Sequence, residues 1–433
     1  MGIRLPESRL IVGNCLEVLP TLPEGSVHCC VTSPPYWGLR DYHIPAIRWA
    51  DGTESAFGLE ATPELYLAHA VLIFREVRRV LREDGTLWLN IGDSYSSKTC
   101  SDGSDFKDGR SNRGCRKSAG IPDGLKPKSM VGIPWRLALA LQADGWILRQ
   151  DIIWHKPNPM PEAVQDRCTK AHEYLFILTK SPDYFWDKQA MQERVNGLAH
   201  ARAAVPPPAG WGRGDEPRTA VGLNQVGIHR KTRPGVTPKA EEAEKGTKAN
   251  ASFSGAIVDL VTSRNRRSVW TIPTMPYRGK HFATFPPDLV KPCILAGTSA
   301  RGCCPNCGAP WERIIEDGEP DLAHQRACGG DRNGEYSGQA TKDYEGHRAQ
   351  NASEVKARIL RGMIEKKTIG WQPTCDCPAA DPIPCTVLDP FAGTGTTGKV
   401  AIELGRDAVL IEASEEYAEQ AEIRTAVTPG LAL

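Results

Sequence analysis

The sequence predicts an α/β protein with helices on both faces of a doubly wound, mostly parallel sheet of seven strands. Short apolar runs recur along the chain, and segments with apolar residues at helical spacing lie between several of them. Most of the runs are almost continuously apolar, as is typical of strands that are covered on both faces. The alternation of the two kinds of segment indicates a parallel sheet with crossover helices.

Seven apolar runs are predicted as the strands of this sheet. In chain order they are RLIVGN (9–14), VHCCVTS (27–33), GTLWLNIG (85–92), WILRQDIIW (146–154), EYLFILTK (173–180), CTVLDP (385–390) and DAVLIEA (407–413). One helix is predicted from Pro63 to Asp84, with proline at its first position. A second is predicted over 133–145, where IPWRLALALQADG ends in glycine.

Two insertions interrupt the pattern. From about Trp186 to Ser268, Pro, Gly, Ala and charged residues dominate without periodicity, which favours a loop-rich module. A second polar insertion runs from about Asp317 to Lys367. The predicted segments are 1–185 and 381–433 for the two halves of the sheet, 186–268 for the first insertion, 269–299 for a helical segment, and 300–380 for an insertion that contains a cysteine knuckle.

The composition excludes several classes of protein. The 433 residues carry a formal net charge of +1 and are 40% hydrophobic, as in an ordinary globular protein. No apolar stretch is long enough to span a bilayer, and the first residues lack the apolar core of a secretory signal, so we expect a cytoplasmic protein. Fourteen cysteines in such a protein favour reduced thiols and a metal site over disulfides.

Two short segments are basic. Residues 98–128 contain eight Lys or Arg against four Asp, and residues 262–280 contain five Arg or Lys and no acid. Such loops on a nearly neutral protein favour local attraction to a polyanion such as DNA. Ordinary solvated loops are the alternative interpretation.

The stretch VLDPFAGTGTTGKVAIELG (387–405) reads as a strand, a glycine-rich turn and a helix. Gly393, Gly395 and Gly398 match the dinucleotide pattern G-x-G-x-x-G, but Glu412 follows only 14 residues after Gly398, closer than a dinucleotide fold requires. A P-loop is disfavoured because Val400 replaces the Ser or Thr that binds magnesium. The third interpretation is an S-adenosylmethionine pocket, in which Glu412 takes the ribose hydroxyls. This motif alone leaves a dehydrogenase and a methyltransferase open.

A second motif, TSPPYW (32–37), follows the apolar run VHCCV. Together with DPFAGTGTT (389–397) it resembles the hallmarks of the beta group of DNA amino-methyltransferases, in which the target-base motif precedes the cofactor motif. The stretches IIWHKPNPMPEAVQDRCTKAHEYLFILTKS (152–181) and HFATFPPDLVKPCILAGT (281–298) are similar to further segments of that family. The likeness covers nearly all of the predicted sheet but neither insertion.

The resemblance implies a Rossmann-like methyltransferase sheet and an enzyme that uses S-adenosylmethionine to methylate cytosine N4 or adenine N6 in double-stranded DNA. The implied target-base residues are Ser33, Pro34, Pro35 and Tyr36. The implied cofactor residues are Asn14, Phe285, Asp389, Phe391, Gly393, Thr394, Gly395, Thr396 and Glu412. At Asn14 the family commonly has Asp, which puts cofactor affinity in doubt at that position.

The Ser-Pro-Pro-Tyr motif suits the chemistry of an exocyclic amine. A stacked base cannot present this group to a methyl donor, so the base must first leave the helix. The amine is a poor nucleophile, and two oxygen acceptors, Ser33 Oγ and the Pro34 carbonyl, are suited to align its lone pair. Proline fixes φ and lacks an N–H group, which holds that carbonyl in a rigid bend. Tyr36 offers a face for the extruded base.

Four cysteines have the spacing of a structural zinc site. Cys304 and Cys307 form C-x-x-C, and Cys375 and Cys377 form C-x-C, which together supply four thiolates. Cys303 is a possible substitute ligand and Cys328 a weaker candidate. Unligated reduced thiols are the alternative interpretation.

The predicted function is therefore site-specific DNA methylation. The resemblance favours cytosine N4, because Ser rather than Asp at the first position of the motif more often accompanies that target in the family. Adenine N6 is the alternative, and protein-glutamine methylation or a catalytically silent DNA-binding protein are more distant ones. The predicted insertion 186–268 would read the DNA sequence. A cognate restriction endonuclease is a possible partner, in a prokaryotic or phage-infected cell, and we expect a monomer or weak dimer.

Three further residues have two interpretations each. His172 and Glu173 lie either near the base or simply at the start of a strand, and Asp93 either belongs to the site or caps a helix or turn.

Overall fold

The chain divides into two units in the computed structural model, which describes residues 4–96, 124–194, 263–275, 285–317 and 366–426. The first unit comprises residues 1–191, 267–313 and 371–433, and the second comprises residues 192–266 and 314–370. The main sheet and the site discussed below belong to the first unit. In the second unit, the described residues include a short antiparallel strand pair, Gln192–Arg194 with Ser263–Asn265.

Fourteen strands occur within the described residues. Numbered β1 to β14 in chain order, they are Ser8–Val12, Val27–Thr32, Ile47–Arg48, Glu54–Ser55, Leu81–Ile91, Ile147–His155, His172–Thr179, Gln192–Arg194, Ser263–Asn265, Val269–Thr271, Trp311–Asp317, Lys366–Pro373, Thr386–Asp389 and Asp407–Glu412.

Six α-helices occur in the same residues, with a 3₁₀ turn at Leu19–Thr21. Numbered α1 to α6, they are Cys15–Val18, Pro63–Val80, Ile133–Ala143, Pro287–Gly297, Thr396–Glu403 and Glu415–Thr425. Within the described part of the chain, none of the helices combines the length and the apolar character that crossing a bilayer demands.

Eight of the strands form the main sheet, in the order β1-β14-β13-β2-β5-β7-β6-β10. Neighbouring strands are parallel except at β7, which is antiparallel to both β5 and β6. The predicted doubly wound, mostly parallel α/β class is confirmed, and all seven predicted strands are present. Strand β10 was not predicted, because its three residues at the sheet edge are too few to show a period.

The strand order brings the two ends of the chain together. Strand β13, near the C-terminal end, lies between β14 and β2, and Leu388 of β13 is opposite Cys30 of β2. Because these strands are parallel, their carboxyl ends meet at one edge of the sheet. The Ser-Pro-Pro-Tyr motif follows β2 and the glycine-rich turn follows β13, so both motifs start at that edge.

Helix α2 begins and ends for identifiable reasons. Thr62 caps its start, with Thr62 Oγ1 accepting from the Leu65 amide over 3.2 Å, and Pro63 occupies the first position. The sequence prediction carried this helix to Asp84, which is four residues too far. Leu81 is extended and begins β5, where it pairs with Val27 of β2.

Both faces of the sheet are covered by apolar packing. One core cluster contains side chains of α2 and α3, and the other contains side chains of α4 and α5. Strand β2 is buried along its whole length, which agrees with its mostly apolar sequence. At Gly297, the last residue of α4, there is no room for a Cβ beside Thr86 and Cys29, so this helix lies directly on the sheet.

Helix α5 is equally close to its neighbours at Gly398. A Cβ at this position would lie 2.5 Å from Leu410 Cδ1 and 2.9 Å from Thr425 Cγ2. We expect Gly398→Ala to lower the free energy of unfolding by about 1–3 kcal/mol through overpacking, although alanine is the better helix former. Chemical denaturation measures the change, with Lys399→Ala on the same helix as the control. Equal stability of Gly398→Ala and the wild type would show that α5 packs less closely than described.

Candidate active site

A cavity of about 1240 Å³ lies at the carboxyl edge of the main sheet. Five adjacent parallel strands, β1, β14, β13, β2 and β5, contribute residues at or just after their carboxyl ends. These residues are Gly13, Glu412, Pro390, Ser33 and Gly92 respectively. This is the edge at which open α/β sheets bind their ligands.

Most of the site residues that the sequence predicts line this cavity. From the target-base motif, Ser33, Pro34, Pro35 and Tyr36 do so, and from the cofactor set, Asn14, Phe285, Phe391, Gly393, Thr394, Thr396 and Glu412 do so. Asp389 and Gly395 are absent from the lining. The structure thus brings the two motifs into one cavity, although more than 350 residues separate them in the sequence.

The paired prolines sit in a well-supported loop. Tyr66 Oη, on α2, donates to the Pro35 carbonyl over 3.0 Å, and the Gly38 amide donates to the Gly58 carbonyl over 2.9 Å. Gly58 has φ of +92°, and a Cβ there would lie 2.9 Å from Pro35 Cβ. Only glycine allows this close approach, which holds the Ser-Pro-Pro-Tyr loop in place.

The hydroxyl of Tyr36 is anchored in a polar network. Tyr36 Oη donates to Glu173 Oε2 over 2.8 Å, lies 3.2 Å from Asn90 Oδ1, and accepts from Ser33 Oγ over 3.3 Å. Lys156 Nζ forms a short ion pair with Glu173 Oε1. Burial, and then the adjacent Glu173 carboxylate, raise the pKa of Tyr36 well above its usual value. Tyr36 is therefore a neutral hydrogen-bond donor.

Sequence reasoning gave only the ring of Tyr36 a role and missed Asn90 and Lys156. His172 and Glu173, for which a place near the base and a strand-start role were the two alternatives, are the first residues of β7 and also line the cavity. Asp93 also lines the cavity, but its carboxylate accepts from the Gly132 and Ile133 amides and thereby caps the start of α3.

Asp389 is buried beneath the glycine-rich turn. Its carboxylate accepts from Thr32 Oγ1 and Thr397 Oγ1, each over 2.7 Å, and from the Phe391 amide over 3.1 Å. Burial raises the pKa of Asp389 to about 6 in spite of these three donors. Asp389 therefore connects the end of β2, the turn and α5 from behind the cavity wall.

The glycine-rich turn is closed by Glu412 at the end of β14. Gly393 and Gly395 have φ of +53° and +76°, a conformation that favours glycine. Glu412 Oε2 accepts from the Gly393 amide over 2.7 Å, and Oε1 accepts from the Ser414 amide over 2.9 Å. Burial raises the pKa of Glu412 above its usual value. Glu412 lines the cavity, and the lone pairs that these amides leave free can accept further hydrogen bonds there.

Asn14 has a structural role in addition to its place at the cavity. Its Oδ1 accepts from the Leu16 amide over 3.0 Å and so caps α1. The amide oxygen has two lone pairs, so one remains for a second donor.

The four predicted zinc ligands come together. The Sγ atoms of Cys304, Cys307, Cys375 and Cys377 all lie within 4.8 Å of one another. The knuckle contacts the amino ends of two strands of the sheet: His28 Nε2 is 2.8 Å from the Gly308 carbonyl, and Arg82 Nη1 donates to the Cys307 carbonyl over 2.7 Å. The cysteine quartet thus lies at the edge opposite the cavity.

Cys303 lies outside the cysteine quartet, close to His28 and Cys385. Both ring nitrogens of this histidine have hydrogen-bond partners, because Nδ1 accepts from the Thr386 amide over 3.0 Å and Nε2 faces the Gly308 carbonyl. His28 is therefore engaged by the backbone rather than available to a metal.

Several predicted features fall outside the described residues. These are most of the insertion 186–268, nearly all of the polar insertion 317–367, the basic loop from residue 97 to 123, the basic residues at 278 and 280, and Cys328.

The chain is similar to known DNA methylases. The chain matches the family model of N6/N4 DNA methylases over residues 27–304 and 379–423. It is 42% identical over 291 residues to the Type II methyltransferase M.XycI of Xanthomonas campestris pv. cyanopsidis, an alignment that covers 67% of this chain and 73% of the relative. It is 32% identical over 422 residues to the Type II methyltransferase M.SmaI of Serratia marcescens, covering 97% and 91%. The solved structure of the cytosine-N4-specific PvuII DNA methyltransferase aligns with a TM-score of 0.45 at 14% identity, covering 99% of this chain and 92% of that chain.

The eight-stranded sheet with its single antiparallel strand β7, and the cavity at its carboxyl edge, have the architecture of the Rossmann-like methyltransferase fold. The family match is more particular: this chain belongs to the N6/N4 DNA methylase family, and its motif order places it in the beta group of DNA amino-methyltransferases.

The buried carboxylate of Asp389 generates a prediction about stability and pH. Because its folded pKa lies above the ordinary value of 3.8, its contribution to stability is fully present below pH 3.8 and is lost as pH rises through about 6. We expect Asp389→Asn, which cannot ionise, to gain about 3 kcal/mol relative to the wild type between pH 4 and pH 7. Denaturation at a series of pH values measures this difference. If the difference in free energy of unfolding between Asp389→Asn and the wild type did not change with pH, the raised pKa of Asp389 would be contradicted.

Proposed function

We propose that this chain transfers the methyl group of S-adenosylmethionine to the exocyclic amine of a base flipped out of double-stranded DNA, with cytosine N4 as the favoured target. The observation that carries the proposal is the shared cavity, which the Ser-Pro-Pro-Tyr loop and the glycine-rich turn line together. Methyl transfer requires the amine and the methyl donor to be bound next to each other, and a cavity that both motifs line allows this.

The residues present fit the methyl donor. Glu412 offers carboxylate oxygens for ribose hydroxyls, the glycine-rich turn allows close approach of a ligand to the backbone, and Phe285 and Phe391 supply apolar surface. When bound, S-adenosylmethionine supplies a methyl group that its positive sulfur already activates. Positioning of the amine therefore provides most of the rate enhancement, and a metal is not required for the transfer.

The amine itself is positioned by the Ser-Pro-Pro-Tyr loop. Ser33 Oγ and the Pro34 carbonyl accept its two N–H bonds, which turns the nitrogen lone pair toward the methyl group. Ser at the first position of the motif supports cytosine N4, and adenine N6 is the alternative. The basic segments at 98–128 and 262–280 support DNA as the substrate through attraction to phosphates.

The similar proteins from Xanthomonas and Serratia are named Type II methyltransferases. We infer that this chain likewise modifies a fixed recognition sequence and has a companion restriction endonuclease. Mass analysis of nucleosides from DNA of cells that express the chain tests the target, because N4-methylcytosine and N6-methyladenine are distinct products. Appearance of N6-methyladenine alone would overturn the cytosine assignment, and absence of both products would overturn DNA methylation.

Ser33→Ala separates the amine-binding role from donor binding. Loss of one acceptor of the developing charge is expected to lower the single-turnover rate about 100-fold, with S-adenosylmethionine affinity unchanged. Glu412→Ala is expected to do the reverse and chiefly weaken S-adenosylmethionine binding. Rapid-quench methyl transfer and equilibrium binding measure the two quantities. A parallel fall in rate and affinity in Ser33→Ala would contradict the role of Ser33.

The cysteine quartet is proposed to hold one structural zinc ion. Tetrahedral Zn–S bonds of about 2.3 Å place sulfur atoms about 3.8 Å apart, which agrees with four Sγ atoms within 4.8 Å of one another. Since the knuckle contacts the amino ends of β2 and β5, the metal would stabilise the sheet and take no part in methyl transfer.

Removal of one ligand tests the zinc site. Cys377→Ser is expected to lose the single bound zinc and to lower Tm by roughly 5 °C or more. Elemental analysis and calorimetry measure the two effects, and Cys168→Ser, at an exposed thiol outside the cysteine quartet, is the control. A purified wild-type chain with less than about one zinc per molecule and no response to a chelator would contradict the site.

A further inference from the structure

The hydroxyls of the Ser-Pro-Pro-Tyr loop form a hydrogen-bonded chain that ends on a carboxylate of β7. Ser33 Oγ donates to Tyr36 Oη over 3.3 Å, and Tyr36 Oη donates to Glu173 Oε2 over 2.8 Å. The first contact is long, as catalytic hydrogen bonds commonly are before substrate binds. Ser33, Tyr36, Glu173 and Lys156 all line the cavity. These two hydrogen bonds therefore connect Ser33 Oγ, the proposed acceptor of the amine, to the carboxylate of Glu173.

The direction of this chain is set by its last member. Each hydroxyl has one hydrogen, and an ionised carboxylate only accepts. Of the two acceptors beside Tyr36 Oη, Glu173 Oε2 at 2.8 Å is closer than Asn90 Oδ1 at 3.2 Å, so Tyr36 donates to Glu173 and its oxygen is left to accept from Ser33. Both hydroxyl hydrogens then point away from the base, and the lone pairs of Ser33 Oγ remain available to the amine. Lys156 Nζ pairs with Oε1 of Glu173, and Oε2 is the oxygen that faces Tyr36.

Methyl transfer leaves a proton that has to be removed. The amine lone pair forms an N–C bond while the C–S bond breaks, and the electron pair of that bond stays on sulfur. The nitrogen then carries a positive charge and one proton more than the neutral methylated product. Ser33 Oγ, which already accepts an N–H bond of that nitrogen, is the nearest oxygen of the hydrogen-bonded chain.

We propose that Glu173 is the final acceptor of this proton. The proton passes from the methylated nitrogen to Ser33 Oγ as the Ser33 proton passes to Tyr36 and the Tyr36 proton passes to Glu173 Oε2. The protonated Glu173 faces the cavity and releases the proton to solvent. The proposal rests on the proposed function, and Glu173 is a positioning residue because it acts through Tyr36 and Ser33.

The surroundings of Glu173 distinguish it from the other titratable groups at this edge. Those close to it are Lys156 just after β6, Lys170 and His172 around the start of β7, and Tyr36 after β2, and Lys170 in turn lies near Asp93 and Glu162. Asp93 and Glu162 are the two further carboxylates: backbone amides at the start of α3 already occupy Asp93, and Glu162 forms an ion pair with Arg167. Of these groups, Glu173 is the one that accepts from Tyr36.

Single-turnover methyl transfer by Glu173→Gln, Tyr36→Phe and the double variant tests the relay. Each single variant is expected to be about 100-fold slower than the wild type, the usual size of a proton-transfer contribution. The double variant is expected to be no slower than either single variant, because one broken link already interrupts the relay. S-adenosylmethionine affinity and KM for DNA are expected to stay within about twofold, since Tyr36→Phe keeps the ring and Glu173→Gln keeps the shape.

The pH profile separates a relay from a purely structural role. The wild-type rate is expected to fall at acidic pH because the relay needs a proton acceptor at its end, whereas Glu173→Gln and Tyr36→Phe are expected to lack this acidic limb. Glu83→Gln is the matched control. Glu83 forms a similar ion pair, with Lys180 Nζ at 2.8 Å, but at the opposite end of β5 and β7 from the cavity. Its rate and profile are expected to equal those of the wild type.

The outcomes separate failure of the relay from failure of the proposed function. A wild-type chain that transfers no methyl group to DNA overturns the proposed function. An active wild type with an unchanged rate in Glu173→Gln, an acidic limb retained in that variant, or multiplied losses in the double variant overturns only the relay. Loss of S-adenosylmethionine binding in Glu173→Gln also contradicts it, because the relay gives Glu173 no part in binding the donor.

Discussion

The buried carboxylate of Asp389 holds the two halves of the active site together. It ends β13, yet it accepts from Thr32 at the end of β2 and from Thr397 in α5. Thr32 directly precedes Ser33, and α5 directly follows the glycine-rich turn. One side chain therefore fixes the Ser-Pro-Pro-Tyr loop relative to the glycine-rich turn. Burial of an ionisable group costs stability, so its presence here serves position rather than stability.

The direction of β7 provides the other constraint on the site. In a parallel sheet only the carboxyl ends of strands reach the functional edge, but β7 is antiparallel and brings its first residues there. Glu173 thereby meets Tyr36, which lies 137 positions earlier in the chain. The cysteine quartet contacts the amino ends of β2 and β5, which leaves the functional edge free for DNA and the methyl donor.

The sequence alone predicts those parts of this structure that depend on local patterns of residues. Apolar runs gave the seven main strands, and fixed spacings gave the cysteine quartet and both motifs of the cavity. Contacts between distant segments were not readable. Asp389 looks like a ligand residue because it adjoins the glycine-rich turn, yet its partners are Thr32 and Thr397 behind the wall. The role of the Tyr36 hydroxyl was not predicted, because its partner Glu173 lies on β7 and the sequence does not show that this strand is antiparallel.

The structure of this chain with its recognition duplex and an unreactive analogue of S-adenosylmethionine is the most direct test of the shared cavity. The account predicts one extruded base whose exocyclic nitrogen lies within about 3.2 Å of both Ser33 Oγ and the Pro34 carbonyl. It also predicts that the same nitrogen faces the donor bound at Glu412. A base that stays stacked in the helix, or a donor bound outside the cavity that holds the base, would contradict the account.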